Sequence, residues 1–132
     1  MPAARPISPH LSVYKMSRYT LASSIFNRFT GIGLSFGLLL LVYWLVSVAG
    51  GAAAQARAAR LLSLPPMKLI YAACVIAFCY HLVAGIRHFV WDTGHGLERT
   101  QSRRSAYLVA AVSIALMLLV GYCAFMLRGR AP

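Results

Sequence analysis

Acidic residues are almost missing from this sequence. Its 132 residues contain 2 Asp and Glu against 13 Lys and Arg, which gives a formal charge of +11. So basic a chain is typical of proteins that meet nucleic acid, anionic lipid or an acidic protein partner. Nucleic-acid binding needs a water-exposed basic face with stacking aromatic side chains, whereas the cations here stand at the edges of apolar segments. The pattern therefore argues against a nucleic-acid-binding protein and for a membrane protein.

Charges of either sign are absent from three long stretches, residues 29–49, 69–86 and 105–127. Hydrophobic residues make up 60% of the chain, whereas soluble domains contain roughly 45–50%. As a helix, the 21 residues of the first stretch would extend about 31 Å, enough to cross the hydrocarbon core of a bilayer. We predict an all-α membrane protein with three transmembrane helices, which cover about residues 25–49, 67–91 and 105–127.

Paired or clustered cysteines are also missing. Cys74, Cys79 and Cys123 lack CxxC spacing and lie in apolar segments, so we interpret them as small buried hydrophobic residues. The first apolar run begins too late and is too long for a secretory signal, and residues 1–22 are not an Arg- and Ser-rich transit peptide. We therefore expect an unprocessed chain, and no internal repeat is evident.

The spans divide the chain into an N-terminal segment at residues 1–22, a transmembrane domain at residues 23–128 and a tail at residues 129–132. Prolines disfavour a long helix in the first segment. Ser23 and Ser24 are predicted to cap the helix that follows.

Small residues carry two further expectations about helix packing. The Ala-rich stretch 52–61, between the first two spans, is predicted to form a surface helix. Gly33 and Gly37 are four residues apart on the first span, a spacing that lets another helix approach closely.

The distribution of cations predicts the orientation of the chain. Three spans place the termini on opposite sides, and eight cations fall on the side of the N-terminus against five on the other. The first group contains Arg5, Lys15, Arg18, Arg28, Arg87, Arg99, Arg103 and Arg104, and the second contains Arg57, Arg60, Lys68, Arg128 and Arg130. By the positive-inside rule, the N-terminus lies on the inner side.

His81 is the residue of greatest chemical interest, because it lies inside an apolar span. An imidazole in hydrocarbon is costly unless it has a partner, which makes it a candidate ligand or proton relay. With 100° per residue, Cys74, Ala84, Gly85 and His88 fall on the same helix face as His81. A face of small residues around an imidazole has room for a flat, bulky group, and haem fits that description. The alternative is that His81 only forms a hydrogen bond to a neighbouring helix.

His81 and His88 cannot bind one iron together. They share a face about 10.5 Å apart along the axis, whereas two axial ligands approach opposite faces of one macrocycle. If the iron is six-coordinate, its other ligand comes from elsewhere. The first and third spans offer no histidine, and apart from Met117 and Met126 nothing in them suggests a ligand, so a partner membrane chain is implied. Arg28, Arg87 and His88 lie nearer the inner surface, where they are candidates to pair with haem propionates; for the two arginines the alternative is snorkelling.

Ser24 and Arg28 form a second candidate site at the start of the first span. They are four residues apart and share a helix face where the apolar region begins. A hydroxyl and a forked cation can bond a quinone carbonyl and stabilise the negative charge that develops on its reduction. Helix capping together with snorkelling explains the same pair without a quinone.

Three motifs connect the chain to a known family. They are RPISPHLSVY at residues 5–14, SIFNRFTG at residues 24–31, and HLVAGIRH at residues 81–88 followed by Trp91 and Asp92. In this order they resemble the cytochrome b subunit of succinate dehydrogenase, respiratory complex II, and the first motif is similar to its mitochondrial and alphaproteobacterial branch. The resemblance covers nearly the whole chain, including three spans.

The resemblance implies that His81 is the axial ligand of one haem b (metal ligand His81 to the haem iron), with the second histidine on a companion anchor subunit. It implies that Ser24 and Arg28 line the ubiquinone site beside the iron–sulfur subunit, and that a flavoprotein subunit completes the complex. The chain would be inactive alone. The implied location is the bacterial inner membrane, with a cytoplasmic N-terminus, rather than the mitochondrial inner membrane. Where the family commonly has histidine this chain has Asn27, which can bond a propionate or water but cannot carry a proton near neutral pH.

Two other functions compete with a succinate:quinone oxidoreductase subunit. A fumarate reductase anchor would carry electrons in the opposite direction. That direction depends on redox potentials and on the type of quinone, which this sequence does not encode. A non-redox membrane scaffold would use His81 only as a structural hydrogen-bonding group.

Overall fold

The computed structural model describes residues 18–129, which form four α-helices. These are α1 (Arg18–Ala49), α2 (Ala52–Leu62), α3 (Pro65–Asp92) and α4 (Arg99–Arg128). Three stretches are long and apolar enough to cross a membrane, Leu21–Ala49, Pro65–Asp92 and Arg99–Leu127. Each contains one of the predicted spans, so the prediction of an all-α membrane protein with three transmembrane helices is confirmed.

Residues 1–17 and 130–132 lie outside the described part of the chain. The first family motif, most of the predicted N-terminal segment and most of the predicted tail therefore fall outside it as well. So do three of the cations used for the orientation, Arg5, Lys15 and Arg130.

The helix ends follow the local sequence in most places. The helix α3 begins with two prolines, which lack the N–H that a first helical turn leaves unpaired. It is followed by Gly94 and Gly96, whose φ angles of 81° and 78° turn the chain toward α4. The Ala-rich surface helix is confirmed as α2. The predicted cap at Ser23 and Ser24 is wrong, because α1 already begins at Arg18 and both serines lie inside it.

The three long helices exceed the thickness of the hydrocarbon core. At 1.5 Å per residue, the 32 residues of α1 extend about 48 Å, against roughly 30 Å of hydrocarbon. Helix α3 packs against both α1 and α4, and α2 packs mainly against α1 and to a smaller extent against α3. The N-terminal ends of α1 and α4 and the C-terminal end of α3 consequently meet at one end of the bundle.

Small and polar side chains form the buried interior. Within the described part of the chain, the buried residues are Ala58, Cys79, Ala84 and Val109, together with Ser47, Arg87, Ser102 and Ser113. Large apolar side chains such as Phe36, Phe89 and Phe125 are about 70% exposed, as suits surfaces that meet lipid or another membrane chain. The bundle is thus held by close helix approach rather than by a core of large side chains.

Individual glycine and cysteine predictions have mixed outcomes. A Cβ atom on Gly37 would lie 2.9 Å from the Cys74 Sγ, so α3 approaches α1 closely there, whereas Gly33 has no such neighbour within 4 Å. Cys79 is buried and Cys74 half-buried. The prediction that all three cysteines are buried is wrong for Cys123, because it lies on an outer face of α4.

Candidate functional site

The His81 ring is held by the backbone of α1. Its Nδ1 lies 3.2 Å from the carbonyl oxygen of Asn27 and 3.2 Å from the Thr30 Oγ1. The Thr30 hydroxyl is also 2.8 Å from the Phe26 carbonyl and 2.9 Å from that of Asn27. Because a carbonyl oxygen can only accept, Nδ1 is the nitrogen that carries the hydrogen in this arrangement. The lone pair of the neutral ring is then on Nε2.

Gly31 provides the space in which this ring packs against α1. A Cβ atom at this position would be 3.1 Å from the His81 Cε1 and 3.9 Å from Nε2. Only a glycine therefore lets the imidazole approach the helix without a shift of the ring. Sequence reasoning chose Gly33 and Gly37 and missed this residue, although Gly31 stands seven residues after Ser24 and so on the same helix face.

An apolar groove of about 1140 Å³ runs between α1 and α3, and His81 is one of its lining residues. Gly31 lines the groove beside the imidazole, Ser35 and Cys74 line it farther along, and Trp44 lines it toward α2. Its polar lining is small, which is typical of sites for apolar ligands and cofactors. Cys74 lies in it as the helical-face prediction requires.

Other members of the predicted His81 face are placed elsewhere. Ala84 is buried within the bundle. His88 is exposed, and its ring meets the edge of Trp91 at a centroid distance of 5.3 Å. The face therefore divides into a groove-lining part that ends at His81 and a part beyond it at the C-terminal end of α3.

Ser24 and Arg28 lie one turn apart on α1, Ser24 half-buried and Arg28 exposed. Gly31 and Ser35 follow at seven and eleven residues from Ser24, spacings that continue the same face of the helix. The face that carries the predicted quinone residues therefore leads directly into the His81 groove.

The backbone and the side chain of Asn27 have different environments. Its backbone carbonyl accepts the hydrogen bond from His81. Its side chain is half-buried, and the buried Oδ1 has no hydrogen-bond partner within residues 18–129. A buried amide oxygen in this state is available to a donor from a bound group, a water or another chain.

Arg87 joins three helices at the end of the bundle where Ser24 and Arg28 lie. The side chain is only 8% exposed. Its Nε donates to the Ser105 Oγ at 3.0 Å, NH1 to the Ser23 Oγ at 3.0 Å, and NH2 to the Ser102 carbonyl at 3.0 Å. Sequence reasoning missed these serines as partners, because the contact depends on how α4 packs against α3.

These features define a small multi-pass helical membrane protein in which one imidazole, oriented by a backbone carbonyl, opens on an apolar groove. Comparison with known proteins identifies its family. A family model described as the succinate dehydrogenase/fumarate reductase transmembrane subunit matches residues 1–120. The chain belongs to this family and is a non-catalytic membrane subunit of an enzyme complex of that class.

Similar proteins carry consistent names. The succinate dehydrogenase cytochrome b556 subunit of Paracoccus denitrificans is 36% identical over 115 residues, which cover 87% of this chain and 88% of that protein. The subunit of the same name from Rickettsia prowazekii is 34% identical over 116 residues, 88% of this chain and 90% of that protein. The mitochondrial cytochrome b560 subunit of Bos taurus is 37% identical over 112 residues, 83% of this chain and 66% of that protein.

Proposed function

We propose that this chain is the haem b-binding membrane anchor of a succinate:quinone oxidoreductase and supplies part of its ubiquinone-reduction site. The family and the cytochrome b names of its relatives support this function. The observation that carries the haem assignment is the orientation of His81, which directs its protonated Nδ1 to the Asn27 carbonyl, so that Nε2 carries the lone pair that can bind a metal.

The groove fits a large apolar cofactor. It is lined mainly by apolar side chains, and among residues 18–129 the one imidazole that lines it is that of His81. Histidine ligands of metals commonly donate the other ring N–H to a carbonyl, which fixes the tautomer and raises the basicity of the ligand. Haem b bound there would supply a one-electron carrier inside the membrane. The chain's own part is to present Nε2, to exclude water through apolar walls and to leave space at Gly31.

In this proposal a partner membrane subunit would supply the second residue that holds the haem. His88 lies on the same face of α3 as His81, and two residues on one face of a single helix cannot both hold the iron of one haem. His95 is exposed beyond the end of α3. The strongly exposed apolar side chains of all three spans are suited to such a partner.

Ser24 and Arg28 are proposed to bind the quinone. The hydroxyl and the guanidinium can both donate to a quinone carbonyl, and the fixed positive charge favours the negative charge that builds up on that oxygen during reduction. Arg28 is exposed at the end of a face that leads into the groove, so the quinone and haem sites adjoin. The free Asn27 Oδ1 can hold a water at this junction.

Arg28 and His88 are also proposed to face the haem propionates, because both are exposed near the inner end of the bundle. The donors of Arg87 are already directed at serines of α1 and α4. Arg87 therefore supports the site from within the bundle rather than through a propionate.

The remaining partners follow from charge and orientation. Arg28, Arg87, Arg99, Arg103 and Arg104 lie toward one end of the bundle and Arg57, Arg60 and Lys68 toward the other. We infer that the richer end faces the cytoplasm of a bacterium and docks the iron–sulfur and flavoprotein subunits. Electrons from succinate would reach the quinone at this end.

The haem assignment is tested by His81→Ala in the purified complex. The dithionite-reduced minus oxidised spectrum should lose or shift its haem b bands. His95→Ala is the matched control, because it removes an exposed imidazole beyond the end of α3 and should leave the spectrum unchanged. An unchanged spectrum in an assembled His81→Ala complex would refute the ligand assignment.

The quinone assignment is tested by Arg28→Ala. Loss of one charged donor to the developing oxyanion should lower kcat/KM for ubiquinone by about 100-fold. Succinate oxidation by a soluble dye should stay near the wild-type rate, since it does not use the membrane site. Arg57→Ala, an exposed arginine of α2 at the opposite end, should change neither activity. Equal loss of both activities in Arg28→Ala would contradict a quinone-specific role.

A further inference from the structure

Arg87 is a buried cation that the haem and quinone assignments leave without a contact to either group. It lies within the α3 span and is 8% exposed. Burying a charged side chain in or near a membrane interior is costly, and such residues usually serve a function. An alanine or leucine would fill the helix junction without this cost, so the guanidinium needs an explanation beyond packing.

The charge of Arg87 is hydrogen-bonded but not neutralised by the groups that hold it. Its bonds end on the hydroxyls of Ser23 and Ser105 and on the carbonyl and hydroxyl of Ser102, all of them neutral. Its guanidinium carbon also stands 3.9 Å from the centre of the Trp91 ring, a cation–π contact. The site therefore keeps a full positive charge at a fixed place in the bundle.

Ser23 is held from α3 by two residues. Arg87 donates to its hydroxyl at 3.0 Å, and the Tyr80 hydroxyl donates to its carbonyl at 3.1 Å. Ser23 directly precedes Ser24 and lies five residues before Arg28 on the same rigid helix. Loss of a hydrogen bond from α3 to Ser23 would therefore shift or rotate the turn that carries the two proposed quinone residues.

We propose that Arg87 is a positioning residue of the quinone site, which fixes the Ser23 turn of α1 against α3 and α4 and adds a buried positive charge beside it. The inference rests on the proposed quinone role of Ser24 and Arg28. The hydrogen bond from Arg87 to Ser23 keeps the Ser24 hydroxyl and the Arg28 guanidinium aligned on one quinone carbonyl. The charge, which an arginine keeps at every physiological pH, favours the negative charge that develops on the quinone oxygen as electrons arrive.

The test compares Arg87→Lys, Arg87→Met and Ser23→Ala in the whole complex, with Arg57→Ala as the exposed control. The kcat for quinone reduction, normalised to flavin, and the KM for quinone are measured alongside dye-linked succinate oxidation and haem content. Arg87→Met should lower kcat/KM for ubiquinone by about 10- to 100-fold, because misplaced groups near the reaction cost that much. Arg87→Lys should recover part of kcat while KM stays raised, because the charge returns without the fork.

Ser23→Ala tests the proposal even if the complex with Arg87→Met does not assemble. It removes the hydroxyl that accepts from the Arg87 guanidinium and should raise the quinone KM several-fold with normal haem content. A purely structural role would reduce the amount of complex but leave kcat and KM per flavin unchanged in every assembled variant, and that result would overturn the proposal. If Arg28→Ala impairs quinone reduction while these variants do not, only the positioning role falls. If Arg28→Ala also has no effect, the proposed quinone site falls with it.

Discussion

Gly31→Ala is the substitution that tests the His81 environment with the smallest chemical change. It adds one methyl group to α1, directly beneath the imidazole. The added Cβ would be 3.1 Å from the His81 Cε1, whereas ordinary contact begins at 3.4 Å. The ring must therefore move away from α1 by at least 0.3 Å, the difference between these two distances.

This displacement weakens both hydrogen bonds of the ring together. Both acceptors, the Asn27 carbonyl and the Thr30 hydroxyl, belong to α1 and lie 3.2 Å from Nδ1. A further 0.3 Å brings each contact to about 3.5 Å, beyond the usual range for an N–H donor. Each lost bond costs about 0.5–1.5 kcal/mol, and loss of such a partner lowers metal affinity by about 10- to 100-fold.

The assay measures haem per flavin in the purified complex, together with the haem midpoint potential. Gly31→Ala should bind haem less tightly and at a changed potential. Gly33→Ala is the matched control, because it makes the same gain in helix propensity but has no neighbour within 4 Å of its Cβ. If assembled Gly31→Ala keeps the wild-type haem content and potential, His81 is not held as described.

Two further substitutions probe the same pair of helices. Thr30→Val removes the hydroxyl next to Nδ1 at nearly constant volume and should shift the haem potential, whereas Thr30→Ser should restore it; identical potentials in all three proteins would exclude a role for the hydroxyl. Gly37→Ala places a Cβ 2.9 Å from the Cys74 Sγ and should destabilise the complex by about 1–3 kcal/mol. Adding Cys74→Ala should recover the thermal midpoint, since the next atom is then 3.8 Å away, and a double variant no more stable than Gly37→Ala would contradict this packing.

The number and positions of the membrane-spanning helices could be predicted from the sequence, because they depend on the composition of each stretch by itself. Charge-free stretches of about 18 or more residues identify spans, and the two prolines that begin α3 mark a helix start in the same local way. The importance of His81 was also accessible, because an imidazole at that depth requires a partner wherever the other helices lie.

Contacts between helices were not accessible in this way. Arg87 is off the polar face of α3 in a helical projection, and a single projection cannot show that Ser102 and Ser105 of α4 approach it. Ser23 looked like a helix cap because serine favours that position, but here its hydroxyl accepts from Arg87 within the helix. Gly31 and Gly33 are equivalent by composition, and only the register of α3 decides which of them meets an aromatic ring.

The acceptor for the His81 ring is a main-chain atom, and this has a consequence for both proposed sites. The Asn27 carbonyl belongs to the peptide unit whose nitrogen is that of Arg28, and such a unit moves as one rigid plane. No side-chain replacement at position 27 removes the acceptor, so an asparagine can stand there without loss of the ring's anchor. A redesign of one site would also displace the other. A tilt of this single amide moves the Asn27 carbonyl that holds the imidazole and, with it, the backbone from which the Arg28 side chain extends.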